Sequence, residues 1–219
     1  FFTEFTADWV RANPNQAVST GYFTGEEQNL LEQQLTPLTR ERQLEVEQRA
    51  RQGLEQLSQL DFSTATKTHR IAGEVIKWQL ENLLEGVPYR DASFSLNQHT
   101  GANVSLPNQL TVTHPIRTAA DAENYLLRLE QVDERMSEAT AEAARRSQAG
   151  YRPPAFILRS TIEQMERFIA PPAAENPLTT TLLQKTTAIN LPETQRSSLT
   201  ERAAQIVENE VYPAWQAAV

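Results

Sequence analysis

The sequence predicts an all-α protein, an irregular multi-helix bundle broken by one long ordered loop. Three observations carry this expectation. Apolar residues recur at spacings of three and four along most of the chain. Prolines and helix-capping residues punctuate that pattern at lengths suited to ordinary helices. Period-two alternation is confined to short runs between residues 87 and 116.

Phe2, Phe5 and Trp9 mark the first helix, which must stop near Asn13-Pro14 because the residue before proline avoids helical backbone. Gly21 and Gly25 bracket a turn, and a second run is helical from Glu26 to Leu35. Thr36-Pro37 reads as an N-cap with proline at the first helical position. The helix after it is rich in Glu, Gln and Arg, with a thin apolar face until Leu54, Leu57 and Leu60. Ser63 is placed to cap the next helix, whose apolar face is read as Ile71, Ala72, Val75, Gln79 and Leu83. Gly86 and Pro88 stop it.

Residues 87–116 break the helical pattern. Ser93–Leu96 and Leu110–Thr113 alternate with period two, which fits a small β-ribbon around 92–113 or an ordered loop. Thr118 to Asp121 resembles a capping box, with Asp in place of Glu. The longest helix then runs to about Ala149, burying Ala122, Tyr125, Leu129, Val132, Met136, Ala139 and Ala143. Gly150 and Pro153 close it. Helices follow over 154–169, after Asn176-Pro177, and from Pro192 onward. In the last one, Ile206, Val207, Val211 and Trp215 prolong the apolar face past Pro213, which should kink it. No stop signal follows, so the expectation is one helical domain over 1–219 that is the N-terminal portion of a longer protein. An exposed apolar strip is expected around Trp215.

Composition narrows the function classes. Twenty-eight acids against 20 bases give a net charge of −8, which disfavours nucleic acid as a partner. The chain has no cysteine, so disulfides, thiolate metal sites and cysteine nucleophiles are excluded. No stretch has the length of a membrane-spanning segment. The first residues, Phe1 to Phe5, lack the basic start of an export signal.

No catalytic constellation is present. The three histidines, His69, His99 and His114, are not pre-spaced for a metal, and no His-Glu-x-x-His occurs. There is no Gly-x-Ser-x-Gly elbow and no glycine-rich phosphate loop. Glu130, Glu134, Glu138 and Glu142 form an i, i+4 ladder that reads as a solvated helix face. The polar run Asn97, Gln98 and His99, beside Gly101, is the candidate cleft-lining segment; a loop satisfying its own backbone is the plainer alternative.

The order of several motifs resembles a known family. Asn13 to Tyr22 is similar to a P-x-x-A-T-x-x-G start, and Asn97 to Gly101 forms the polar loop. Tyr125 to Leu129 is similar to Y-L-x-R-L, Gly150 to Pro154 follows, and Val211 to Trp215 resembles v-x-P-A-Y with tryptophan for tyrosine. Together these resemble the N-terminal half of the bacterial family catalogued as domain of unknown function 885. The resemblance implies a longer, largely helical protein, often exported and sometimes a lipoprotein, similar to zinc metallopeptidases. Its His-Glu-x-x-x-Gly-His-like motif would lie in the C-terminal half, so no zinc ligand or catalytic glutamate maps onto this chain. The expectation is therefore no cofactor in this chain, with zinc in the intact protein. The partners would be the C-terminal half and a peptide. The location would be periplasm or cell envelope, with cytoplasm as the other possibility. The alternative is a helical protein- or peptide-binding module without an enzymatic role.

Overall fold

A computed structural model describes residues 1–219. It is all-helical, as expected, with no strand. α1 (Phe2–Arg11) and α2 (Pro14–Thr20) are joined through Asn13, whose carboxamide oxygen accepts from Gln16 N and caps α2. α3 (Gly25–Leu31) ends four residues sooner than the periodicity suggests. The chain leaves the helix there because Leu35 N donates to Gln131 Oε1, 2.9 Å away, instead of to its own helix.

α4 (Arg40–Ser58) and α5 (Lys67–Glu85) form a helical hairpin. Their caps are Thr39 and Thr66, not Thr36 and Ser63. Thr36 is drawn away because its hydroxyl donates to Asn13 Oδ1 and accepts from Asn15 N. Ser63 instead donates through N and Oγ to Asp61, forming a local turn. The apolar stripe of α5 is also turned around. Ile71, Val75 and Trp78 are exposed, Trp78 at 65%, while Gly73 and Leu80 face inward. α4 buries Ala50, Gly53 and Leu57, and at Gly53 the missing side chain leaves room for Phe5 and for Leu80 of α5.

The 92–113 region holds no β-ribbon. A 3₁₀ turn (Val87–Ala92) leads to a loop, then α6 (Ala102–Asn108) and a π-turn (Gln109–Thr113). The alternation has another origin. In the π-turn closed by His114 N donating to Gln109 O, Leu110 is buried and Val112 is exposed.

α7 (Ala119–Leu129) begins with the expected capping box, Thr118 and Asp121 each bonding the other's backbone N–H. The single long helix is two, because the chain breaks at Glu130-Gln131 before α8 (Val132–Gln148). α9 (Ala155–Ile169), α10 (Pro177–Ala188) and α11 (Glu193–Ile206) follow. A π-turn (Val207–Val211) precedes α12 (Tyr212–Ala218). Pro213 cannot donate a backbone hydrogen bond, and the wider turn just before it, with Tyr212 N donating to Val207 O, accommodates that loss.

The main core is built by α6 to α12, with Leu35 as an outlier from the N-terminal segment. Leu110, Leu126, Met136, Leu178, Val211 and Trp215 lie fully within it. The expected exposed strip at Trp215 is absent. Its indole is buried against Phe168, ring centroids 5.1 Å apart. No helix is long and apolar enough to cross a membrane.

Candidate functional site

Asn97, Gln98 and His99 lie on a loop that is ordered by its own side chains. Asn97 Oδ1 accepts from His99 N at 2.9 Å and Thr100 N at 2.8 Å, and its Nδ2 donates to Phe94 O. This is the turn chemistry Asn performs for a backbone with no ladder to join. Asn97 N in turn donates to Asn103 Oδ1, and Asn103 Nδ2 to Gln164 Oε1, tying the loop to α9. Gly101 is required by close approach: a Cβ there would stand 2.2 Å from Asn97 N and 2.5 Å from Asn103 Oδ1. His99 is exposed, and its imidazole Nε2 is 3.3 Å from the neighbouring Gln98 amide. Of the three, His99 has the freest chemistry.

Beside this loop is a cavity of about 220 Å³ lined by Ser93, Ser95, Thr100 and Ser105, with Glu142 and Arg146 on its wall. Arg146 Nε donates to Glu142 Oε1 at 2.8 Å, and its NH1 to Ser93 O and Oγ. Arg145 bridges Glu142 and Asp91. These guanidiniums hold the Glu142 and Asp91 carboxyls below the ordinary carboxylate range. The glutamate ladder is thus no uniform solvated face. Glu134 is exposed, but Glu142 is buried in this ion-pair network, and Glu138 accepts from Leu38 N at 2.7 Å and pairs with Arg135.

A second polar assembly, centred on two buried residues, was not singled out by the sequence. Arg128 and His114, both 0% exposed, sit at its centre. Arg128 NH2 donates to Asn15 Oδ1 at 2.8 Å, joining the Asn13–Tyr22 segment to the Tyr125–Leu129 segment. His114 Nε2 lies 2.9 Å from Asp121 O. A carbonyl only accepts, so Nε2 carries the proton and Nδ1 is left as acceptor toward Arg128 NH1, at 3.5 Å. Burial, reinforced by the Arg128 and Lys185 charges, lowers the His114 pKa to about 4, so the ring is neutral. Burial also lowers Arg128, to about 10, against the opposing pull of Glu32. Arg117 clamps Glu32 and Asp121, and Lys185 Nζ donates to His114 O at 2.6 Å. Asn124 Nδ2 to Asn29 Oδ1 and Gln131 Nε2 to Gln33 O extend the seam. The N-terminal helices therefore dock on α7 largely through polar bonds. The one available signal was Arg128 inside an otherwise apolar helix face.

These residues do not suit a zinc ion. No group of three His, Asp or Glu side chains converges. His69 stacks on Phe2, His99 is on the surface, and His114 uses Nε2 on a backbone carbonyl while Nδ1 faces a guanidinium. A cation at His114 would meet Arg128 and Lys185, which are cations themselves.

The fold and these assemblies define an all-helical unit whose N-terminal helices are fastened to an α-helical core by carboxamide bonds, the Arg128–Asn15 bond and the Arg117–Glu32 ion pair. The chain belongs to the family described as bacterial protein of unknown function, DUF885, whose model matches residues 14–219. It is similar in structure to a crystal structure described as "the putative lipoprotein from Colwellia psychrerythraea", with a TM-score of 0.80 and 18% sequence identity. That likeness covers 99% of this chain and 40% of the other, so the chain spans well under half the length of the protein it resembles. No curated protein matches the sequence.

Proposed function

We propose that this chain is the N-terminal helical scaffold of a longer, exported zinc-metallopeptidase-like protein. In it, the chain would form one wall of a peptide cleft and leave the chemistry to the remainder. The observation that carries this reading is the coverage: nearly the whole chain corresponds to 40% of a longer protein with the same fold. The lipoprotein description of that protein supports an envelope location. The outward stripe of Ile71, Val75 and Trp78 supports a covered face, since monomers seldom leave such side chains together in water. The wall would include the loop of Asn97, Gln98 and His99, where the His99 imidazole is exposed beside the Gln98 amide.

The test compares the longer protein with this chain on fluorogenic peptides, with and without a zinc chelator. Chelator-sensitive hydrolysis by the longer protein alone is expected, with KM raised by His99→Ala at nearly constant kcat. Hydrolysis by the 219-residue chain itself would overturn the scaffold reading, and an unchanged KM would remove His99 from the wall.

A second reading, a peptide-binding module, is favoured by one feature. A groove of about 500 Å³ between α4 and α5 is floored by Leu54, Leu57, Leu60 and Phe62 and rimmed by Arg70 and Glu74. Such a groove is suited to an amphipathic helix. Peptide capture by this chain without any hydrolysis in the longer protein would favour it.

A further inference from the structure

We propose that the outward face of α5 is an interface between two copies of this chain, paired antiparallel. The proposal goes beyond the scaffold reading and does not depend on it. Ile71, Val75 and Trp78 each leave about half or more of their surface in water. They recur at spacings of four and three, so they form one stripe along the 19-residue helix. Such a stripe asks for an occupant, and the charges beside it select a second copy.

At about 100° per residue, Lys67, Arg70, Glu74, Lys77, Glu81 and Glu85 all fall to one side of the stripe, and Thr68, Ala72 and Gln79 to the other. The charged residues are all exposed. Only Lys77 and Glu81 pair within the chain, at a loose 3.8 Å, and Arg70 gives one nitrogen to Ala65 O. The charges are also ordered along the axis. Lys67 and Arg70 stand at the start, Glu74 and Lys77 about the middle, and Glu81 and Glu85 at the end. That order opposes the helix macrodipole: the first turn has no acid and the last turn no base. The arrangement therefore does not serve the isolated helix.

It does serve an antiparallel pair. When two helices are related by a two-fold axis, each edge meets the same edge of its copy, running the other way. An axis between Val75 and Ile76 sets Lys67 opposite Glu85, Arg70 opposite Glu81 and Glu74 opposite Lys77 of the second copy. Every charge meets its opposite, and the two-fold repeats each pair. Ile71, Val75 and Trp78 then cover the same three side chains of the second copy. A parallel pair would set the charged edge against the uncharged one. The remainder of a longer protein would have to reproduce this pattern, whereas a second copy carries it already. Two helices about 28 Å long make a small interface, so the expected dimer is weak, with a dissociation constant on the order of 100 µM.

Sedimentation equilibrium of the 219-residue chain, from roughly 5 µM to roughly 1 mM, should show a reversible monomer–dimer equilibrium. Lys67→Glu with Arg70→Glu should weaken it at least about tenfold, and so should Glu81→Lys with Glu85→Lys. Both double variants improve the match to the macrodipole, so loss of the dimer cannot be put down to loss of the helix. Mixing the two should restore a dimer containing one of each. The chain has no cysteine, so single introduced thiols report direction. Val75→Cys, beside the axis, should oxidise to a linked dimer, and Lys67→Cys, at one end of the helix, should not. A chain that stays monomeric throughout would overturn the proposal and leave the stripe to another part of a longer protein. Dimers that survive both charge reversals, or that link as readily through Lys67→Cys as through Val75→Cys, would overturn it as well.

Discussion

Replacing His114 with glutamine should flatten the acid dependence of folding stability by a predictable amount. In the folded chain the ring is neutral, with a pKa near 4 against an ordinary 6.5, because burial and the facing Arg128 oppose a second proton. The unfolded chain takes up that proton as the pH falls through 6.5, whereas the folded chain resists until about 4. The contribution of this group is therefore complete above pH 6.5 and is lost progressively between there and 4. Linkage over that interval puts the loss at about 2 kcal/mol by roughly pH 5. His114→Gln keeps an N–H for Asp121 O but has no group that titrates. Urea unfolding followed by tryptophan fluorescence at roughly pH 7.5 and 5 should show the variant less stable at the higher pH. Its drop between the two conditions should be about 2 kcal/mol smaller than that of the parent chain. The carboxylates titrate alike in both proteins and cancel in the difference. An identical drop in both would refute the assignment of His114 as a neutral ring.

Other substitutions separate structural roles. Gly101→Ala would drive a Cβ to 2.2 Å from Asn97 N, so a loss of about 2 kcal/mol and faster proteolytic cleavage within 93–101 are expected. Trp215→Ala should cost about 3–5 kcal/mol in denaturant unfolding, because the indole fills the core against Phe168. Trp78→Ser should leave unfolding of this chain within about 0.5 kcal/mol, since the side chain is 65% exposed. A large loss at Trp78 would mean that the α5 stripe is already covered.

What could be read from the sequence was chemistry that closes over a few residues. The Thr118–Asp121 capping box formed and α1 ended just before Asn13-Pro14, because each requires only its own turn. Features decided by distant partners could not be read. α3 ends early because Gln131, 96 residues away in sequence, competes for Leu35 N. The break at Glu130-Gln131 has no glycine or proline to announce it. The alternation at Leu110–Thr113 spans too few residues to separate a strand from a π-turn. Outward placement of Ile71 and Val75 depended on which side of α5 packs against α4. Residues 97–99 lie on a polar loop, but Asn97 is committed to its own turn, and much of the expected long loop is helical. The assembly around Arg128 and His114 was hidden because its members come from distant segments, and only Arg128, a charge within an otherwise apolar helix face, hinted at it.

In the function proposed above, this chain is a scaffold that carries no catalytic metal centre of its own. Titration of zinc chloride into the 219-residue chain, against a competing chromophoric chelator, tests it most directly. No stoichiometric tight site is expected, because His69, His99 and His114 are held apart, with His69 stacked on Phe2 and His114 bonded to a backbone carbonyl. A one-to-one site that withdraws zinc from the chelator, and that is lost on replacing any of these histidines, would contradict it.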